Sequence, residues 1–194
     1  MTPDQVLNEF RDAEALLEGH FILSSGLHSR TYLQCARVLM DTRRAARLAE
    51  ALAAKIKDNV EGDVDCVVAP AMGGLIIGHE VARALDVDSM FLERAGGEFT
   101  LRRGFDLSEN AKVVMIEDIV TTGLSSCEAI AAITAHGGHV ICAGCLIDRS
   151  GGIADVGVSL ASLASITVET FEADNTPADL VNVPAVKPGS RGLK

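Results

Sequence analysis

After Thr2 the apolar residues Val6, Phe10, Ala13 and Leu17 recur at three- and four-residue intervals, the spacing of an amphipathic helix. Thr2 as cap, Pro3 in the first turn and Gln5 three positions after the cap form a capping-box start, and Gly19 marks the expected stop. The stretch FILSSGLHSRTYLQCARVL (21–39) reads instead as two β segments around a turn at Gly26. Asp41 then caps a helix that carries Ala45, Leu48, Leu52 and Ile56. From residue 65 onward the pattern changes in kind. DCVVAP, SMFLE, KVVMIE and HVICAGCLID are short, largely apolar runs, and they are interspersed with the helical stretches GGLIIGHEVARAL and SSCEAIAAITAH. Such runs, apolar on both faces of a strand, predict an α/β fold with a mainly parallel sheet covered by helices on both sides.

Two segments depart from that rhythm. ERAGGEFTLRRGFDLSEN (93–110) separates two predicted strands without a helix and is rich in glycine and arginine, the composition of a mobile loop or hairpin flap. After Asp148 the periodicity weakens. TVETF (167–171) is the last predicted strand, and PAVKPGSRGLK (184–194) is expected to be a flexible tail.

The length of 194 residues suits a single domain, 1–194, whose core needs neither disulfides nor a structural metal. No run approaches the roughly 20 apolar residues of a membrane span, and a net charge of −10 opposes non-specific attraction to nucleic acid or anionic lipid. An anionic ligand must therefore be gripped locally. The five cysteines are odd in number and sit mostly in apolar runs, which suits a reducing compartment. With a start that has neither basic leader nor signal core, a cytoplasmic location is expected. Cys142 and Cys145 form a CxxC, but strand alternation sends residues three apart to opposite faces, so core packing is expected rather than zinc.

Chemistry concentrates in VVMIEDIVTTGLSS (113–126). An apolar strand delivers Glu117 and Asp118 to the carboxyl edge of the sheet, where ligands of open α/β folds bind. TTGLS then turns the chain into a helix, bringing free backbone N–H groups and hydroxyls to a positive helix end, a cradle for phosphate. Carboxylates beside such a cradle suit the hydroxyls of a ribose, so the spacing describes a ribose 5-phosphate held at both ends. The segment is neither a Walker loop nor a GxGxxG fingerprint.

EDIVTTGLS closely resembles the phosphoribosyl-diphosphate motif of type I phosphoribosyltransferases. GHFILSSGLHSRTYLQ, PAMGG, ERAGGEFTLRRGF and LIDRSGG look like the orotate branch of that family, and the resemblance covers residues 19 to 152. It implies a mainly parallel five-stranded sheet flanked by helices, a small N-terminal hood over residues 1–40, and a homodimer. It also implies transfer of the phosphoribosyl group from phosphoribosyl diphosphate to orotate, with Mg2+ carried by substrate oxygens and no direct protein metal site.

Carried over by the motif match, Glu117 and Asp118 would hold the ribose hydroxyls, and Ile119, Val120, Thr121, Thr122, Gly123, Leu124 and Ser125 would complete the phosphoribosyl diphosphate site. Thr121 and Arg149 would contact orotate, and PAMGG would touch the diphosphate. Where the family often has lysines, this chain has Met72, Ser24 and a flap without lysine. The flap arginines Arg94, Arg102 and Arg103 are therefore the expected catalytic groups, neutralising the departing diphosphate. Two other readings remain open: transfer to a different base, and a sensor that keeps the cradle without catalysis.

Overall fold

In the computed structural model, residues 1–23 and 26–188 are described; the Ser24 position and residues 189–194 of the expected tail lie outside them. Apolar strands drive the central sheet. It contains β3 (Cys66–Pro70), β4 (Asp88–Ala95), β5 (Glu98–Leu101), β6 (Lys112–Val120), β7 (His139–Asp148) and β8 (Leu160–Ser165), in the order β5-β4-β3-β6-β7-β8. Neighbours are parallel except β4 and β5, which form the antiparallel hairpin of the flap. The five parallel strands thus carry a sixth, antiparallel strand at one edge.

Successive strand residues feed two cores, as a sheet buried on both faces requires. On one face Val67, Val114, Ile116 and Cys142 pack with residues of three helices, α1 (Pro3–Asp12), α3 (Thr42–Lys57) and α4 (Gly74–Leu85). On the other, Val68, Val113, Met115 and Cys145 meet Ala129 and Ile133 of α5 (Leu124–Ala135). Cys142 and Cys145 therefore do face opposite ways. The Thr2 capping box and the Asp41 cap are both formed.

Three sequence expectations need correction. The first helix ends at Asp12, not near Gly19: Glu14 takes a left-handed φ of 50°, and Leu16–Ile22 becomes strand β1. Its antiparallel partner β2 (His28–Leu33) aligns Leu17 with Tyr32, so cross-strand pairing overrides helical spacing. Second, Cys35–Leu39 is a short helix, α2, rather than the end of a β segment. Third, the fifth parallel strand is LASLAS (160–165), whereas TVETF supplies the two-residue β9 (Thr170–Phe171), which pairs with β2. The sheet β1-β2-β9 forms a hood beside the carboxyl edge of the main sheet. Within the expected tail, Val186 pairs beside Phe21 through hydrogen bonds to Ile22 and His20. The buried His20 donates from Nδ1 to the Val183 carbonyl at 2.9 Å and meets His28 at 2.6 Å, tying the hood to the same segment.

Candidate active site

Strand β6 runs on through Val120, so Glu117 and Asp118 lie within the strand rather than after it. Adjacent strand residues point to opposite faces, and the two carboxylates accordingly leave β6 on opposite sides. Glu117, 8% exposed, turns toward α5 and accepts a hydrogen bond from the Ser126 hydroxyl. Asp118, half-buried, turns toward the other face, where it accepts from the Ile119 N–H at 2.9 Å and lies against the Cys35 thiol. Burial pushes both carboxyls above their ordinary range, against opposing hydrogen bonds. A carboxylate has about four acceptor positions, and these contacts leave room for donors that arrive with a ligand.

The loop after β3 abuts Asp118. A Cβ on Gly73 would stand 2.7 Å from Asp118 Oδ1, so only glycine allows this approach of backbone to carboxylate. Met72, one residue earlier in PAMGG, is 79% exposed.

A prediction follows from the sign of the Asp118 shift. Its folded pKa lies above the ordinary 3.8, so as pH rises between the two values the unfolded chain sheds a proton that the folded chain retains, and stability falls. Asp118→Asn should therefore raise the Tm at pH 7 by about 2–4 °C. Thermal melts should show the gain shrinking as pH falls toward the ordinary carboxylate range; a lower Tm at pH 7 would contradict this.

At the end of β6 the cradle stands open. Thr121, Thr122 and Leu124 are exposed, and Gly123 takes a left-handed φ of 81° as it caps α5, a conformation that favours glycine. The first-turn N–H groups of α5 have no partner within the helix; that of Leu124 meets Thr122 Oγ1 at 3.4 Å. Ser125 is half-buried and faces Glu117. Ile119 is partly buried against one core and Val120 is buried in the other, where its carbonyl accepts the Arg149 N–H at 2.8 Å.

Thr121, Thr122 and Arg149 are brought together, lining a cavity of about 400 Å³ closed from the hood side by Tyr32, Leu23, Leu27 and Thr170. Arg149 follows β7, and its Nε is buried without a hydrogen-bond partner. Burial lowers its guanidinium pKa and raises that of the Tyr32 phenol. The turn that presents Arg149 is built on the buried Asp148 carboxylate, which accepts from Ser150 N–H, Ser150 Oγ, Gly152 N–H and Ser165 Oγ.

The three flap arginines do not line this cavity. Arg94 pairs with Glu128 of α5 and lies 4.0 Å from the Phe99 ring centroid. Arg103 forms two hydrogen bonds to Glu93. Arg102 is exposed; its carbonyl accepts the Phe105 N–H at 3.1 Å, and its charge helps Arg103 hold the Glu93 carboxyl below the ordinary range.

Sequence reasoning missed Tyr32, Cys35, Ser126 and Asp148. Asp148 had a legible signal, a carboxylate ending an apolar strand; the others depend on the hood's docking and on which face of β6 each acid takes.

The phosphoribosyl transferase domain family matches residues 38–172. Orotate phosphoribosyltransferase of Rhizorhabdus wittichii is 60% identical over 98% of this chain and 97% of its own length, and that of Caulobacter vibrioides is 57% identical over the whole of both. Among solved structures, orotate phosphoribosyltransferase from Aeropyrum pernix superposes with a TM-score of 0.65 at 26% identity, covering 82% of this chain and 93% of that one. Adenine phosphoribosyltransferase from Thermoanaerobacter pseudethanolicus shares the fold, with a TM-score of 0.59 at 19% identity over 70% of this chain and 88% of that one.

Proposed function

The chain belongs to the phosphoribosyl transferase family, in its orotate branch, and on that premise we propose how its residues divide the reaction. The reaction moves the 5-phosphoribosyl group of phosphoribosyl diphosphate to orotate, giving orotidine 5'-phosphate and diphosphate in pyrimidine biosynthesis. The cradle from Thr121 to Ser125 takes the 5-phosphate, Glu117 and Asp118 take the ribose hydroxyls from their two sides of β6, and the PAMGG loop takes the diphosphate. Orotate lies in the cavity against Thr121 and Arg149. The observation that carries this reading is the buried, unpartnered Arg149 Nε at the wall of that cavity: a guanidinium nitrogen desolvated without a partner matches an anionic planar ligand that brings one.

Breaking the ribose–diphosphate bond leaves positive charge on the sugar and negative charge on the leaving group, so the protein's contribution is electrostatic. Flap arginines approach the leaving diphosphate, and closure of the flap excludes water from the sugar cation. The orotate ring nitrogen attacks as an anion, so no strong general base is needed. Mg2+ would be carried on substrate oxygens, with the Asp118 and Glu117 carboxylates able to meet it through water, and bound there it would neutralise charge on the diphosphate.

The working form is a homodimer, and the compartment is the cytoplasm, a reading supported by five unpaired cysteines, four of them buried.

Diphosphate release from phosphoribosyl diphosphate and Mg2+, measured with one base at a time, tests the base assignment. Release is expected with orotate and not with adenine or hypoxanthine; release with a purine and none with orotate would reject it.

A further inference from the structure

Ser126 occupies the third position of α5 and is fully buried. Its helix contacts the sheet elsewhere through Ala129 and Ile133, and an alanine would fill the Ser126 position with no polar group to satisfy. Serine within a helix commonly bonds back to its own preceding turn. Here the hydroxyl leaves its helix and donates to Glu117 Oε2 on the neighbouring strand. A buried hydroxyl is costly unless partnered, and a glutamate has three rotatable bonds to immobilise; the Ser126 contact serves both ends. With no exposed surface of its own and its hydroxyl spent on Glu117, Ser126 can reach a ligand only through that carboxylate.

We propose that Ser126 is a positioning residue for the transfer reaction, its hydroxyl locking the Glu117 carboxylate in the orientation that receives the ribose. This rests on the assignment of Glu117 to the sugar hydroxyls. The remaining groups around Glu117 are the Ser125 hydroxyl, the Arg94 guanidinium and the Asp118 carboxylate, with Cys145 opposite it on β7. The Ser125 hydroxyl also hydrogen-bonds this carboxylate but from a half-buried position at the rim, and Arg94 is engaged by Glu128, so Ser126 is the fully buried hydroxyl that holds Glu117.

Steady-state kinetics of Ser126→Ala, Glu117→Ala and the double variant test the role. Ser126→Ala should raise KM for phosphoribosyl diphosphate about five- to tenfold, the loss of one hydrogen bond to a charged group, with KM for orotate within about twofold. The acidic limb of its kcat/KM profile for phosphoribosyl diphosphate should move to higher pH, because a donor that favours ionised Glu117 is gone. In the double variant the Ser126 change should have no further effect. Ser126→Cys keeps a weak donor at similar volume and should fall between parent and alanine; it also serves as the reading variant if the alanine form does not fold. Kinetics of Ser126→Ala within twofold of the parent, or an additive double variant, would overturn the role. Glu117→Ala without effect on phosphoribosyl diphosphate binding would remove the reading beneath it, and this role with it.

Discussion

Arg149→Ala is expected to lower kcat/KM for orotate by about 10³-fold or more, the scale of losing a charge-assisted, desolvated contact to a bound anion. KM for phosphoribosyl diphosphate should stay within about threefold, because the cradle and the acids of β6 belong to other elements. Arg149→Lys should recover little: an ammonium keeps the charge but not the planar fork that matches a carboxylate. The structure separates this from a folding defect. The turn around Arg149 is held by the Asp148 hydrogen bonds and by the Arg149 backbone N–H to Val120, none of which uses the guanidinium. Removing a buried group whose Nε has no partner relieves a desolvation cost, so the Tm should hold or rise while orotate turnover collapses. Retention of orotate kcat/KM within about fivefold would place base recognition elsewhere; the threshold is far below the effect of a buried ionic contact.

What the sequence made legible follows the range of the forces involved. Strands β3, β6 and β7 could be read because both faces are buried, so burial leaves a continuous apolar run. The Thr2 and Asp41 caps are contacts within four residues. By contrast, four of the six residues of β8 (LASLAS) are alanine and serine, with little β propensity of their own; it is a strand because β7 pairs with one side of it and α1 and α3 pack on its face. The end of α1 at Asp12 was hidden for the same reason, since Leu16 and Leu17 are claimed by Leu33 and Tyr32 across the hood. At the site, the strand–turn–helix with glycine at its cap was legible. The division of Glu117 and Asp118 between two faces was equally implicit in strand alternation, once the strand is known to persist to Val120. Tyr32 at the cavity wall was not implicit anywhere, because it depends on how the hood docks on the main sheet.

The flap arginines, indistinguishable in sequence, are distinguished by their partners, and turnover should rank them accordingly. Arg102→Ala is expected to cost about 10²- to 10³-fold in kcat, the effect of removing one donor that meets charge developing in the transition state. Arg102 is exposed and acts on Glu93 only through its charge, where Arg103 holds that carboxylate by direct hydrogen bonds, so Arg102 can turn to a diphosphate more readily. Arg103 must leave Glu93, whose carboxyl it holds below the ordinary range. Such exposed pairs contribute only about 0–1 kcal/mol, so the pair is releasable and Arg103→Ala should cost about tenfold. Arg94 is committed twice, to Glu128 and to the Gly97 carbonyl, and packs over Phe99; its alanine variant should loosen the hairpin and raise KM more than it lowers kcat. Single-turnover rates of diphosphate release for the three variants would check the order. A loss below fivefold in all three would remove the flap from leaving-group stabilisation. If Arg94→Ala instead gave the largest fall in kcat, the charge that meets the diphosphate would lie at the end of β4, next to Glu117, and not at the hairpin's far strand. In a protein with a net charge of −10, a grip on an anion has to come from so local an arrangement.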